Sequence, residues 1–293
     1  MGHAAWDRIY RIEKFPAKPI KLRALEYIES GGGTAANAAA AIGRLGGVAE
    51  LWSRIGADQD GQKIRHALKL AGVDIRYVEA FDEGRSSLSA VVVDKQGERM
   101  VIGAQDSGMP TGTSWLPLER IGDAGIVMAD LKWMEAVRTI FARARQLNVP
   151  TVLDADVGNR AALTEVLNFT DFAIFSEEAL GDYLPELDLR ARLDRIMLLG
   201  PRHAGVTLGE RGYMWQDTFG GGTCPAFKID VVDTTGAGDA FHGAFALALS
   251  EQRPVKECAR FACAVAALKC TGLGSRAGLP SRQEVETFLA ERG

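Results

Sequence analysis

Short apolar runs recur down the chain, separated by stretches whose apolar residues repeat at helical spacing. This alternation limits the fold more than any other feature of the sequence. AELWSRIG (49–56), GIVMA (125–129), PTVLDAD (150–156), DFAIF (171–175), RIMLL (195–199) and AGVTL (204–208) each read as a buried strand. Between two of them, MEAVRTIFARARQL sets Val137, Ile140, Phe141, Ala144 and Leu147 on one helical face. Strands alternating with helices build a parallel sheet covered on both faces, and right-handed crossovers restrict its topology. The expected fold class is α/β, with a central, mostly parallel sheet and helices on both sides.

Two segments stand outside this rhythm. SLSAVVVDKQGERMVI (87–102) reads as a hairpin around a glycine turn. DRIYRIEKFPAKPIKLRALEYIE (7–29) reads as extended, its prolines disfavouring a helix. Segments near 8–31 and 85–105 are therefore expected to form a small β lid, of the kind that excludes water from a reaction centre. A plain edge sheet or a dimer contact is the competing reading. With no repeat and no low-complexity linker, residues 1–293 are expected to form one domain carrying this lid.

A net charge of −4 and a pI near 5.7 lack the basic excess of a nucleic-acid binder. There is no apolar run of membrane-spanning length. MGHAAWDRIY has neither the basic nor the apolar region of a secretory leader. Three of the four cysteines, Cys258, Cys263 and Cys270, share one apolar helical stretch, and no CxxC pair occurs. They read as buried thiols in a reducing compartment rather than as zinc ligands. The expected setting is the cytoplasm and the expected partner a small molecule, not nucleic acid or membrane.

DTTGAGDAF (233–241) carries the strongest chemical signal. Gly236 and Gly238 permit backbone conformations other residues resist, and a helix beginning near Ala237 would present unpaired amides to an anion. Asp239 would lie in the first turn of that helix, placed to take a proton from a hydroxyl while the amides hold a phosphoryl group. GAGD alone is explained equally well by a glycine turn with an acidic helix start. A second glycine cluster, GGGTAANAAAAIGRLGG (31–47), precedes another helical stretch, its small residues allowing close approach of a ligand. It lacks the GxGxxG spacing of a dinucleotide site, and no GxxxxGK[ST] occurs anywhere. Asn37 could bond a polyol there, though a helix-surface Asn is the simpler reading.

Together these pieces resemble the ribokinase/PfkB family of ATP-dependent sugar kinases over essentially the whole chain. DTTGAGDAF is similar to the family's C-terminal signature, and GGGTAANAAAAIGRLG followed by SRIGADQDG to its N-terminal one. TLGERG (207–212) is similar to the nucleotide-side turn and VAALKCTGLGSRAGLP (265–280) to the loop closing beside the adenine. The resemblance implies a ribokinase-like fold. It implies Asp239 as catalytic base, with the amides of Gly236, Ala237 and Gly238 as an anion hole. Asp7, Gly32, Gly33 and Asn37 would contact the sugar. Thr207, Gly209, Gly212, Cys263 and Gly274 would lie on the ATP side. Asp233 and Thr235 would hold a monovalent cation, making K+ activation an expectation alongside ATP and Mg2+. The lid would also build a homodimer.

Within the family the sequence looks most like sulfofructose kinases, and more distantly like ketohexokinase. Lys21 stands at a sulfonate-binding lysine position, while Gly103 and Lys132 replace an Asn and an Arg. An anionic sugar pocket built on Lys21 and Lys132 is thus one expectation, a neutral ketose or a sugar phosphate another. Ser176 and Ala179 replace the Asn and Glu of a magnesium-linked NxxE motif. Family members carry an apolar strand before the glycine at position 2, so N-terminal residues are expected to be missing. The reading is phosphorylation of a primary hydroxyl, that of a ketose at carbon 1. The alternatives are a sugar-binding regulator without catalysis and a nucleoside kinase using Trp133 or Phe15 as a stacking surface.

Overall fold

The computed structural model describes residues 1–104, 107–156 and 160–292. The chain enters as β1 (Ala5–Arg11) and, after a loop holding Pro16 and Pro19, returns antiparallel as β2 (Glu26–Gly32), with Asp7 opposite Ser30. Gly33, at φ 88°, turns the backbone into α1 (Thr34–Arg44). A Cβ there would stand 2.6 Å from the Ala4 Cα, so only glycine is accommodated. β3 (Glu50–Gly56), α2 (Gln59–Leu70) and β4 (Asp74–Phe81) form a βαβ unit whose strands pair in parallel. Asp58 caps α2 by accepting the Gly61 N–H at 2.7 Å. β5 (Ser87–Val93) and β6 (Arg99–Ala104) follow as the antiparallel hairpin. They join the first two strands in a sheet of order β2-β1-β5-β6, which occupies the segments expected to form the lid. Residue 105 of that expectation lies outside the described residues.

The second half alternates strand and helix: β7 (Val127–Asp130), α3 (Met134–Gln146), β8 (Thr151–Ala155), α4 (Arg160–Leu167) and β9 (Phe172–Ser176). Then come α5 (Glu177–Tyr183), α6 (Leu189–Met197), β10 (His203–Thr207), β11 (Tyr213–Asp217) and β12 (Gly220–Cys224). α7 (Ala237–Ser250), α8 (Val255–Lys269) and α9 (Arg282–Ala290) complete the chain. The large sheet runs β12-β11-β10-β9-β8-β7, parallel from β7 to β10 and antiparallel beyond.

Successive residues of the central strands face opposite sides, and both sides are covered. Val152, Phe172 and Ile174 pack with α7 and α8, while Leu153, Ala173 and Phe175 pack with α3 and α4. That double burial is why these strands read as unbroken apolar runs.

RIMLL is not a strand. Arg195–Met197 is the last turn of α6 and Leu198 its C-terminal cap. Asp188 caps the other end by accepting the Ala191 N–H at 2.9 Å. Leu193 and Ile196 are buried three residues apart while Leu198 is exposed, a helical pattern. A short apolar run does not distinguish the two conformations; the capping Asp188 upstream does.

The glycine-alanine stretch of α1 packs across α7. A Cβ on Gly243 would stand 2.5 Å from the Ala38 carbonyl oxygen, so the two helix backbones meet almost directly. This crossing brings Asn37 to Asp239, 202 residues away in sequence.

Candidate active site

Asp239 sits in the first turn of α7, whose start is set by Gly236 at φ 77°. A Cβ on Gly236 would lie 2.9 Å from the Ser275 carbonyl oxygen, so both the conformation and the space require glycine. Ala237 N–H donates back to Thr234 O at 3.1 Å, so of the three expected anion-hole amides this one is already engaged. Among the described residues the Gly236 and Gly238 amides have no backbone partner. They stand at the positive end of a 14-residue helix, where an anion is favoured.

The Asp239 Oδ2 accepts a hydrogen bond of 2.7 Å from Asn37 Nδ2. Burial pushes its carboxyl up to about 7; the nearby Asp154 charge adds to the rise, and the Asn37 hydrogen bond opposes it. A base with that affinity suits proton transfer near neutral pH.

Asn37 is held at both ends, because its Oδ1 accepts from Arg276 Nε at 2.8 Å. Arg276 Nη2 also reaches Gly32 O at 3.2 Å. The glycines at 31 and 32 make this possible. A Cβ on Gly31 would stand 2.2 Å from Arg276 Nη1, and one on Gly32 2.3 Å from the Asp7 carboxylate. The sequence reading took these small residues as room for a ligand; they are room for the side chains of Arg276 and Asp7. Asp7 is buried, which pushes its carboxyl upward against hydrogen bonds from Ser89 and Ser275 and the charge of Arg276. The Ser275 hydroxyl donates to Gly31 O at 2.7 Å and lies 3.3 Å from Asp7 Oδ2.

The floor is made by the carboxyl ends of β7 and β8, where open α/β sheets place their ligands. Asp130 accepts the backbone N–H groups of His3, Ala35 and Lys132 at 2.8, 3.1 and 2.9 Å, and so ties three segments together. Asp154 lies 3.4 Å from His242 Nδ1. Burial, then the charges of Asp156 and Asp130, hold its carboxyl well above the usual range. Burial lowers His242, and its Nδ1 is 2.7 Å from Gly238 O. The neutral ring therefore bonds the turn that carries Gly236 and Gly238. Sequence reasoning did not assign Arg276, Asp154 or His242; the first two lie inside segments it had singled out, and His242 directly follows DTTGAGDAF.

The proposed nucleotide side is more dispersed. Thr207 ends β10 with its hydroxyl on Phe175 O at 3.3 Å. Gly209 and Gly212 have φ of 57° and 94°. A Cβ on Gly212 would stand 2.1 Å from Cys224 O, so that glycine lets the 224–226 backbone pass. Cys263 is buried in the core beside Cys224. Gly274, at φ 90°, donates its N–H to Asp233 Oδ2 at 2.7 Å and packs toward Ile9 and Ile28 of the lid sheet.

The oxygens of Asp233 are already engaged by neighbouring donors. The Asp233 Oδ1 accepts both the N–H and the hydroxyl of Thr235, at 2.9 and 2.7 Å, and Oδ2 accepts Gly274. Its carbonyl oxygen accepts the Lys269 ammonium at 2.9 Å, and Lys269 is wholly buried. Burial lowers the Lys269 amine, and the nearby Asp233 charge opposes that fall.

Lys21 is exposed in the loop between β1 and β2, and Gly103 is exposed on β6. Lys132 is exposed too, and its charge acts on Asp154. Among the described residues no contact joins Lys21 to Lys132. Ser176 caps α5 by accepting the Ala179 N–H at 3.1 Å, and Ala179 is buried. Glu177 pairs with Arg211. Trp133 is buried and stacked on Trp115, and Phe15 lies half-buried in the loop after β1.

The chain is similar to known proteins over nearly its whole length. The family model described as pfkB family carbohydrate kinase matches residues 1–282. A ribokinase of Bacillus subtilis is 27% identical over 99% of this chain and 98% of its own. Fructokinase-1 of Zea mays is 30% identical over 88% of each. Among solved structures, one from Agrobacterium tumefaciens is 30% identical with a TM-score of 0.95, covering 99% of this chain and 96% of that one. Arabidopsis thaliana ribokinase, solved with ribose and ATP, is 27% identical with a TM-score of 0.87, covering 98% and 96%.

Proposed function

Because the chain belongs to the pfkB family of carbohydrate kinases, an ATP-dependent sugar kinase by that membership, we propose that it phosphorylates a primary sugar hydroxyl with Asp239 as general base. The observation that carries this is the meeting of Asp239, raised to about 7, with the amino end of α7. The acceptor hydroxyl gives its proton to Asp239. Its oxygen then attacks the γ-phosphate in line, while the Gly236 and Gly238 amides and the helix dipole stabilise the charge gathering on the phosphoryl oxygens. His242 holds the turn in place through Gly238 O. Magnesium enters as MgATP, keeping much of its own water, since Ser176 and Ala179 offer it no carboxylate.

The acceptor is proposed to be a ketose phosphorylated at carbon 1, lying between Asp7, Asn37 and Asp239. A pentose is the second reading, favoured by the relatives named ribokinase. ADP release measured across ribose, fructose, sulfofructose and sugar phosphates separates the two. Turnover with none of them would favour a sugar-binding regulator instead. The lid is proposed to pair with a second copy, because Ile20, Leu25, Val101 and Ile102 are each more than half exposed. Sedimentation equilibrium tests this, and a monomer at micromolar concentration would remove it.

A further inference from the structure

Asn37 can present either of two faces to Asp239. Its amide oxygen would repel a carboxylate; its Nδ2 donates to one. The structure shows the second arrangement, and the other end of the amide lies on Arg276 Nε. Rotating the amide by half a turn would set its NH2 against a guanidinium and its oxygen against the carboxylate, two repulsive contacts in place of two hydrogen bonds. Arg276 thus decides which face the base meets.

Arg276 is itself fixed by the neighbouring backbone. Its Nη2 is on Gly32 O, and its plane lies over Gly31 where no side chain intervenes. The two residues before it are tied as firmly. Gly274 N–H is on the Asp233 carboxylate and the Ser275 hydroxyl on Gly31 O. The 274–276 segment therefore clasps the anion loop to the sugar side of the cleft.

We infer that Arg276 is a positioning residue for proton abstraction, holding the Asn37 amide so that its NH2 donates to the ionised Asp239 and favours the form that accepts a proton. This rests on Asp239 being the base. The charged and titratable groups facing Asp239 are Asp154 and Asp130 from the sheet and His242 from its own helix, with Lys269 from α8 further off. Arg276 faces Asp239 as well, from the loop before α9; burial lowers its guanidinium only to about 10, so it stays a cation at neutral pH, and it is the one bonded to Asn37. Its removal takes away a cation and the constraint on the amide together, and both changes favour protonated Asp239.

The test is the pH profile of kcat for Arg276→Met, Arg276→Lys and Gly31→Ala, using whichever sugar the wild type turns over. The acid limb is expected to move upward by about one pH unit in Arg276→Met, about a tenfold loss at pH 6 that recovers by pH 9. The KM for ATP should stay within about twofold. Arg276→Lys keeps the charge without the planar fork and should move the limb by about half as much. Gly31→Ala displaces the guanidinium and should move it in the same direction. A limb that stays in place, or a loss equal at every pH, overturns the inference. If Arg276→Met does not fold, the other two variants decide it alone. Asp239→Asn separates the two layers. A dead Asp239→Asn beside an unmoved Arg276→Met limb refutes only the positioning role, whereas an active Asp239→Asn refutes the base beneath it.

Discussion

Replacing Asp239 by Asn should make the protein more stable, by an amount that depends on pH in a calculable way. The Asp239 carboxyl is raised from 3.8 to about 7 by burial and by Asp154. An aspartate whose folded-state value is raised costs the fold nothing below its unfolded value. The cost grows as pH climbs through the interval and is complete above the folded value. Each pH unit of the interval corresponds to about 1.4 kcal/mol, so the cost reaches at most about 4 kcal/mol at pH 8 and about 2 kcal/mol at pH 5. Asn keeps an oxygen for Asn37 Nδ2 and carries no charge, so Asp239→Asn should recover much of that cost. In a chain of this size about 1 kcal/mol moves Tm by about 2–4 °C. Thermal denaturation of both proteins should therefore show the variant several degrees higher at pH 8, with the gap about halved at pH 5. A variant no more stable than wild type at pH 8, or a gap that does not narrow with acid, would refute the description of Asp239 as a half-buried carboxylate held ionised against its surroundings.

Other outcomes follow from the same geometry. Turnover in tetramethylammonium chloride should match that in KCl within about twofold, because the Asp233 oxygens already accept from Thr235, Gly274 and Lys269; a tenfold K+ activation of initial rates would contradict this. Gly236→Ala must hold φ 77° with a Cβ 2.9 Å from Ser275 O, so it should lose about 1–3 kcal/mol by denaturant titration along with most of its turnover. Lys21→Ala should leave KM for neutral ketoses unchanged; a rise confined to sulfonated or phosphorylated sugars would support an anion pocket built on Lys21, and an unchanged KM for those sugars would remove it.

Much of the architecture could be read from local pattern. Strands buried on both faces announce themselves as apolar runs, and DTTGAGDAF located the turn, the helix start and the acid. The failures lie where tertiary context decides. RIMLL was ambiguous because four consecutive apolar residues fit either conformation, and the cap at Asp188 lay outside the run. The alanines of α1 looked like space for a ligand, but they let Asn37 approach α7. Gly31 and Gly32 were legible only as part of a glycine cluster, whereas what fills their space, Arg276 and Asp7, comes from opposite ends of the chain. Asp154 and His242 carried no signal of their own, since an acid ending a strand and a histidine in a helix are common. Only the folded sheet sets them beside each other.

The central claim is that Asp239 takes the proton from the acceptor hydroxyl. The most direct measurement is kcat for Asp239→Asn against wild type, by ADP release with the preferred sugar at pH 8, paired with calorimetric titration of that sugar. A loss of about 10²–10⁴ in kcat with sugar affinity held within a few-fold is the expected result. Turnover within tenfold of wild type would contradict it.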